Sequence, residues 1–194
     1  VASYSGMQDI ARAEQAAQLE QIYAQKAEQI AYSEVDIDEL LKLGQNNGQY
    51  VERIEIGSES GGKTPSEIAR SWQGTGKYPG IDDYVDIIVE KGTVLYRGEP
   101  NGTEYFTTLD AIEQSGRDAT KLFEGLQVEK NPIHGYRGEM QGYVFNEDVA
   151  SAYGITNANP QFGKGGLPQY YVPDVQDLID KGILIPVDNI KLNK

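Results

Sequence analysis

The chain has 194 residues, of which 24% are charged and 39% hydrophobic, and its formal net charge is −13. This length suffices for one domain with a core plus an extension, and the acidity argues against nucleic acid as a partner because phosphate backbones are bound by lysine and arginine. Cysteine is absent and His134 is the only histidine, which excludes disulfides and thiolate catalysis and argues against a histidine-based metal site or a Ser-His-Asp triad.

The first 63 residues are predicted to form a helical extension and linker. Residues 7–32 are rich in Ala, Gln and Glu and contain no glycine or proline, so the pattern predicts a long helix. A second, short helix is predicted over 35–43 and is expected to stop at Gly44, before a possible strand at 50–56. No apolar run has membrane-spanning length, so we expect no membrane insertion by this fragment.

Residues 57–64 fit the pattern G-x-x-x-x-G-K-[ST] of a phosphate-binding loop. The segment before them carries three charged residues, whereas the strand that leads into such a loop is usually buried on both faces. Thr64, followed by Pro65 and then Glu67, is typical of the N-terminus of a helix, which would run through Trp72. We therefore interpret the segment as a linker and a helix cap.

From residue 64 onward, helical and strand patterns are interspersed, which predicts an α+β domain over 64–194. Helices are predicted at 82–89, 110–124, 147–153 and 175–181. Strands are predicted at 94–96, 105–108, 142–145, 170–172 and 183–187, and 127–142 reads as an irregular loop.

A glycine-rich loop at 163–166 is followed by Gln169 at the start of an extended segment with Tyr170. Glycines such as Gly165 and Gly166 let a backbone approach a ligand closely, and a strand can aim Gln169 at that ligand. The alternative is a hairpin turn whose glycines serve only geometry.

Arg97 and Arg137 are the candidate cations of a site. Arg97 ends a hydrophobic strand just after Tyr96, where its guanidinium fork suits a phosphate or, alternatively, a structural salt bridge. Phe106 can stack on a flat ring and the Thr107 hydroxyl can bind a ribose, the alternative being an edge strand with Phe106 in the core. Arg137 lies in a loop rich in glycine and aromatics.

The order of these motifs, strand-YRG, aromatic-Thr-Thr and a glycine loop ending in Gln, resembles the ADP-ribosyltransferase-like superfamily. More closely, residues 162–184, FGKGGLPQYYVPDVQDLIDKGIL, are similar to the C-terminal signature of the tuberculosis necrotizing toxin (TNT) family. The resemblance implies small mixed or antiparallel β-sheets with flanking helices, and an enzyme that hydrolyses NAD to nicotinamide and ADP-ribose with no metal and no cofactor. It assigns catalytic roles to Gln169 and Arg97.

The expected chemistry is cleavage of the nicotinamide–ribose bond through an oxocarbenium-like state. Arg97 would bind the pyrophosphate, Phe106 or Tyr170 would shield the cation, and Gln169 would orient the ribose hydroxyls or a water. The substrate-binding residues are expected to be Tyr96, Phe106, Thr107, Arg137, Gly165, Gly166 and Tyr170.

Two other functions compete with this hydrolase. In a mono-ADP-ribosyltransferase, Glu139 or Glu147 would take the place of Gln169, although the resemblance associates a neutral glutamine with hydrolysis. A non-enzymatic interaction module, such as a secretion adaptor or a phage structural domain, would suit the long helix and the acidity. The resemblance further implies a secreted or delivered effector in bacterial competition, acting in the target-cell cytoplasm and paired with a cognate immunity protein.

Overall fold

The computed structural model describes residues 36–47 and 62–194, so the predicted helix at 7–32, the predicted strand at 50–56 and most of the segment 57–64 lie outside the described residues. The helices are α1 (Ile37–Asn47), α2 (Pro65–Ser71), α3 (Leu109–Gln114), α4 (Ala119–Gly125) and α5 (Val175–Asp180). The strands are β1 (Val85–Val89), β2 (Val94–Glu99), β3 (Tyr105–Phe106), β4 (Glu139–Phe145), β5 (Val149–Ile155), β6 (Pro168–Tyr171) and β7 (Leu184–Lys191). None of the helices in this part of the chain is long and apolar enough to cross a membrane.

The strands form two antiparallel sheets, one in the order β1-β5-β6-β3 and one in the order β2-β4-β7. A backbone bridge joins the sheets: the Tyr96 N–H donates to the Thr107 carbonyl at 2.9 Å and the Thr107 N–H donates to the Tyr96 carbonyl at 2.8 Å. The predicted α+β class, with small antiparallel sheets and flanking helices, is confirmed.

Side chains alternate along β4 between the two faces of its sheet, as the period of two along a strand requires. Tyr143 and Phe145 face the larger core, which they share with Phe106 of β3. Met140 faces a second core beneath α3 and α4. Val144 instead packs with Leu40 of α1, so helix α1 covers part of the smaller sheet although it belongs to the predicted extension. The predicted boundary between residues 63 and 64 stays a prediction.

The sequence predicted the N-terminus of helix α2 correctly. The Thr64 hydroxyl accepts a hydrogen bond from the Glu67 N–H, and Pro65 is the first residue of helix α2.

The prediction that Gly44 stops α1 is wrong, because the helix continues to Asn47. A Cβ at Gly44 would overlap the carbonyl of Gly92, so this glycine permits close packing of α1 against the loop before β2.

Three predicted helices differ from the structure. Residues 85–89 form strand β1, in agreement with their run of β-branched residues. Residues 149–155 form β5, which pairs with both β1 and β6, so its small residues fit a central position in the sheet. The predicted helix at 110–124 is two helices, because Gly116 and Arg117 adopt positive φ angles of 65° and 55° and Asp118 caps a new start.

Candidate active site

A cavity of about 430 Å³ lies where the two sheets meet. Its walls come from the segment after α2, from β2, β3, β4 and β6, and from the exit of α4. The lining combines aromatic rings with a few polar and charged side chains, as ligand sites usually do. The aromatic members are Trp72, Tyr78, Tyr96, Tyr105, Phe106 and Phe123, and the charged members are Asp82, Glu129 and Arg137.

Gln169 lines this cavity from β6 and is only 8% exposed. The Tyr84 hydroxyl donates to Gln169 Oε1 at 2.6 Å and accepts from Gln73 Nε2 at 3.5 Å. Because the phenol donates to the amide oxygen, the amide nitrogen of Gln169 is left as a donor; it has no hydrogen-bond partner among the described residues. Burial raises the pKa of Tyr84 well above its ordinary range, with Tyr105 and Asp82 adding to the shift, so the phenol keeps the proton that it donates.

Asp82 is a buried carboxylate in the same cavity and was not singled out from the sequence. It is 5% exposed, and its Oδ1 accepts the backbone N–H groups of Asn157 at 2.7 Å and Ala158 at 2.8 Å. Its own N–H donates to Gln73 Oε1 at 2.7 Å, which links Asp82 through Gln73 and Tyr84 to Gln169. The sequence offers two adjacent aspartates before a strand and no local signal that only the first is buried.

Arg97 lies outside the lining, whereas Arg137 belongs to it. The Arg97 guanidinium donates to Glu99 Oε1 at 2.9 Å and lies over the Tyr143 ring at 5.4 Å from its centroid. Arg137 donates through Nε to the Pro100 carbonyl at 3.0 Å and through Nη2 to the Asn101 carbonyl at 2.9 Å. These two bonds fix the Arg137 guanidinium, so Arg137 and not Arg97 is the arginine of the cavity lining.

Tyr96, Phe106 and Thr107 all line the cavity, as a binding role would require. The Tyr96 hydroxyl donates to Asp188 Oδ2 at 3.0 Å. The Thr107 hydroxyl is buried and donates to the Pro168 carbonyl at 2.7 Å, so it holds β6 beside β3. Tyr170, one residue after Gln169, points to the opposite face of the strand and packs in the larger core, 5.0 Å from the Tyr153 ring centroid.

The glycine loop packs against the protein itself rather than against the cavity. Gly165 donates to the Glu124 carbonyl at 3.2 Å and Gly166 to the Thr156 carbonyl at 2.6 Å. Gly165 and Gly166 have φ angles of 67° and 92°, which side-chain-bearing residues rarely adopt. Neither glycine lines the cavity, and their close approach to Glu124 and Thr156 fixes the start of β6 and thereby the position of Gln169.

The two glycines differ in the space around them, which gives a matched pair of variants. Gly165→Ala is expected to lower the free energy of unfolding by roughly 2–4 kcal/mol, because strain at positive φ is joined by overlap with the Thr156 carbonyl. Gly166→Ala faces open space and is expected to lose only about 1 kcal/mol from its backbone conformation. Urea unfolding measures both, and equal losses would contradict the close packing at Gly165.

Buried tyrosines make the fold sensitive to alkali. Burial is the main cause that raises the pKa values of Tyr84, Tyr105 and Tyr170 well above their ordinary range. Their contribution to stability is complete below the unfolded pKa of about 10 and is lost as the pH rises from there toward the folded values. The free energy of unfolding should fall by about 1.4 kcal/mol per pH unit for each phenol that ionises only when unfolded. Urea midpoints that stay constant up to about pH 11 would contradict this expectation.

The chain is similar to one known family and to five chains of solved structures. The family described as the Rhs1 C-terminal toxin domain matches residues 61–174. A solved structure described as "Rhs1-CT in complex with cognate immunity protein RhsI1" aligns with a TM-score of 0.63 and 26% sequence identity, over 69% of this chain and 99% of that chain. No curated protein matches the chain. The matched residues include the whole lining of the cavity.

Proposed function

The chain belongs to the family of Rhs1 C-terminal toxin domains, and on that premise we propose that it hydrolyses NAD to nicotinamide and ADP-ribose. The observation that carries the proposal is the carboxamide of Gln169, held by Tyr84 in an aromatic cavity that also contains a buried carboxylate and a positioned arginine. The motif order that resembles ADP-ribosyltransferase-like and TNT toxins supports the same activity.

In the proposed mechanism, Gln169 positions the nicotinamide ribose. Its free amide N–H donates to a ribose hydroxyl, while its oxygen stays on Tyr84. An aromatic ring of the lining packs beside the nicotinamide, and Arg137 meets the pyrophosphate. Holding the substrate at several points in this way supplies much of the rate enhancement that orientation can give.

Asp82 is the group that we propose to stabilise the reaction electrostatically. When the C–N bond breaks, nicotinamide leaves with the bonding electrons as a neutral base, and the ribose becomes an oxocarbenium cation. A carboxylate fixed by two backbone N–H donors needs no reorganisation to face that charge. A water then adds to the cation and releases one proton, and we assign the Asp82 carboxylate as its acceptor.

Hydrolysis suits the site better than transfer to a protein. Glu139 and Glu147, the carboxylates that a transferase would need in place of Gln169, do not line the cavity, and Glu139 is paired with Lys191. Incubating the protein with NAD and measuring nicotinamide tests the proposal. Equimolar nicotinamide and free ADP-ribose are expected; a label from NAD that remains on a protein acceptor would favour the transferase, and no nicotinamide release would reject both.

We also infer how the domain meets its partners. The related solved structure is a toxin with its cognate immunity protein, and a similar partner here would cover the cavity mouth, where Trp72 is 64% exposed. The site of action would be the cytoplasm of a target cell, to which the domain is delivered. Expression in the bacterial cytoplasm should stop growth, and co-expression with a small protein encoded next to the toxin should restore it; growth arrest that persists would count against such a partner.

A further inference from the structure

A second cavity, of about 610 Å³, adjoins the first. The two cavities share a wall formed by Phe123, Val128, Glu129 and Arg137. The first cavity contains Gln169 and Asp82, and the second extends away from them past Arg137 along the loop that precedes β4. Arg137 therefore lines both spaces.

The second cavity is basic in a chain whose net charge is −13. Four cationic residues line it, together with one histidine and one carboxylate: Lys77, Lys130, Arg137, Lys194, His134 and Glu129. Lys77 and Glu129 pair with each other at 3.0 Å, so their charges compensate. The remaining cations have no ion-pair partner among the described residues, so the side chains that line the cavity carry an excess of positive charge.

The same cavity offers an aromatic surface beside these cations. Tyr136 lines it and stacks on Phe123 with ring centroids 5.5 Å apart and planes 23° from parallel. The Lys130 ammonium lies 5.6 Å from the centroid of the Tyr136 ring. Cations next to a flat aromatic surface suit a ligand that joins phosphate to a planar base.

We propose that this second cavity binds the adenylate half of the dinucleotide, which places the substrate with its nicotinamide ribose at Gln169 and its pyrophosphate at Arg137. The inference rests on the proposed NAD hydrolysis and adds to it the direction in which the substrate lies. It also explains why the basic residues of an acidic chain gather at the far side of Arg137 from the reacting bond.

Nicotinamide mononucleotide gives a test, because it keeps the scissile bond and one phosphate but lacks adenylate. In the double variant Lys130→Gln/Lys194→Gln, kcat/KM for NAD should fall roughly tenfold, since each lost surface contact to a phosphate is modest. The value for nicotinamide mononucleotide should stay within about twofold. The double variant Lys91→Gln/Lys121→Gln removes the same charge at exposed residues outside both cavities and should change neither value.

Binding of AMP, followed by calorimetry, gives a readout that does not need turnover. The wild-type protein should bind AMP, and Lys130→Gln/Lys194→Gln should weaken that binding roughly tenfold. NAD turnover without AMP binding, or equal losses for both substrates, would overturn the adenylate site and leave the hydrolase intact. AMP binding without NAD turnover would instead reject the hydrolase while supporting the site as a nucleotide pocket.

Discussion

Replacing Gln169 with alanine is expected to lower kcat for NAD hydrolysis by about 10²–10³-fold, the cost of removing one positioned donor from an active site. The amide N–H of Gln169 is the group that would hold the nicotinamide ribose, and alanine leaves no donor in its place. Stability should fall by only about 1–2 kcal/mol, because the Tyr84 hydroxyl loses its acceptor but still accepts from Gln73. Nicotinamide release under saturating NAD, with urea unfolding beside it, separates the two effects.

Two further variants test whether the orientation of the Gln169 amide matters and whether the effect is specific to this glutamine. Tyr84→Phe keeps Gln169 but removes the hydroxyl that orients it, so kcat should fall about tenfold with a smaller effect on KM. Gln161→Ala removes an exposed glutamine that does not line the cavity and should leave kcat unchanged. A Gln169→Ala protein that folds and keeps wild-type kcat would remove Gln169 from the mechanism.

Asp82→Asn is expected to produce the second large loss, about 10²-fold in kcat, because the substitution removes the negative charge facing the ribosyl cation. Asparagine keeps an oxygen that can accept the N–H groups of Asn157 and Ala158, so the segment stays in place. The weaker, uncharged hydrogen bonds should cost about 1–2 kcal/mol of stability. KM should change less than kcat, since the charge interacts mainly with the transition state.

Asp83 supplies the matched control for this variant. Its side chain is 88% exposed and makes one ion pair, with Arg70 at 3.0 Å. Asp83→Asn removes the same formal charge one residue away and is expected to leave kcat unchanged and to alter stability by less than about 1 kcal/mol. Equal activities for Asp82→Asn and Asp83→Asn would show that the buried carboxylate takes no part in the reaction.

The sequence predicted those parts of the fold that depend on neighbours along the chain. The cap at Thr64 needs only residues within one helical turn, and the strand at 94–99 follows from a short apolar run before a turn. The helix predicted at 147–153 was wrong because its two alanines favour a helix locally, while the pairing partners β1 and β6 come from distant segments. Pairing of this kind decides strand formation and leaves little local trace.

The candidate site was predictable to a similar extent. Gln169 was found because a strand after a glycine turn aims its side chain, and the structure places that side chain in the cavity. The resemblance assigned the pyrophosphate to Arg97, whereas Arg137 is the arginine that lines the cavity. The register between β2 and β4 and the position of the loop decide which arginine reaches the cavity, and neither can be read from the local sequence. The sequence indicated a close backbone approach at the glycine loop, but not that the loop approaches helix α4 of the protein itself.

The backbone bridge between the two sheets has a consequence for how the domain responds to a ligand. Two backbone hydrogen bonds between Tyr96 and Thr107 join the sheets, and the cavity is lined by residues from both sheets. A molecule that fills the cavity therefore contacts both sheets at once, and it binds the folded domain but not either sheet alone. By mass action, a ligand at 100 times its Kd adds about 2.7 kcal/mol to the free energy of unfolding, and the melting temperature of the whole domain rises accordingly.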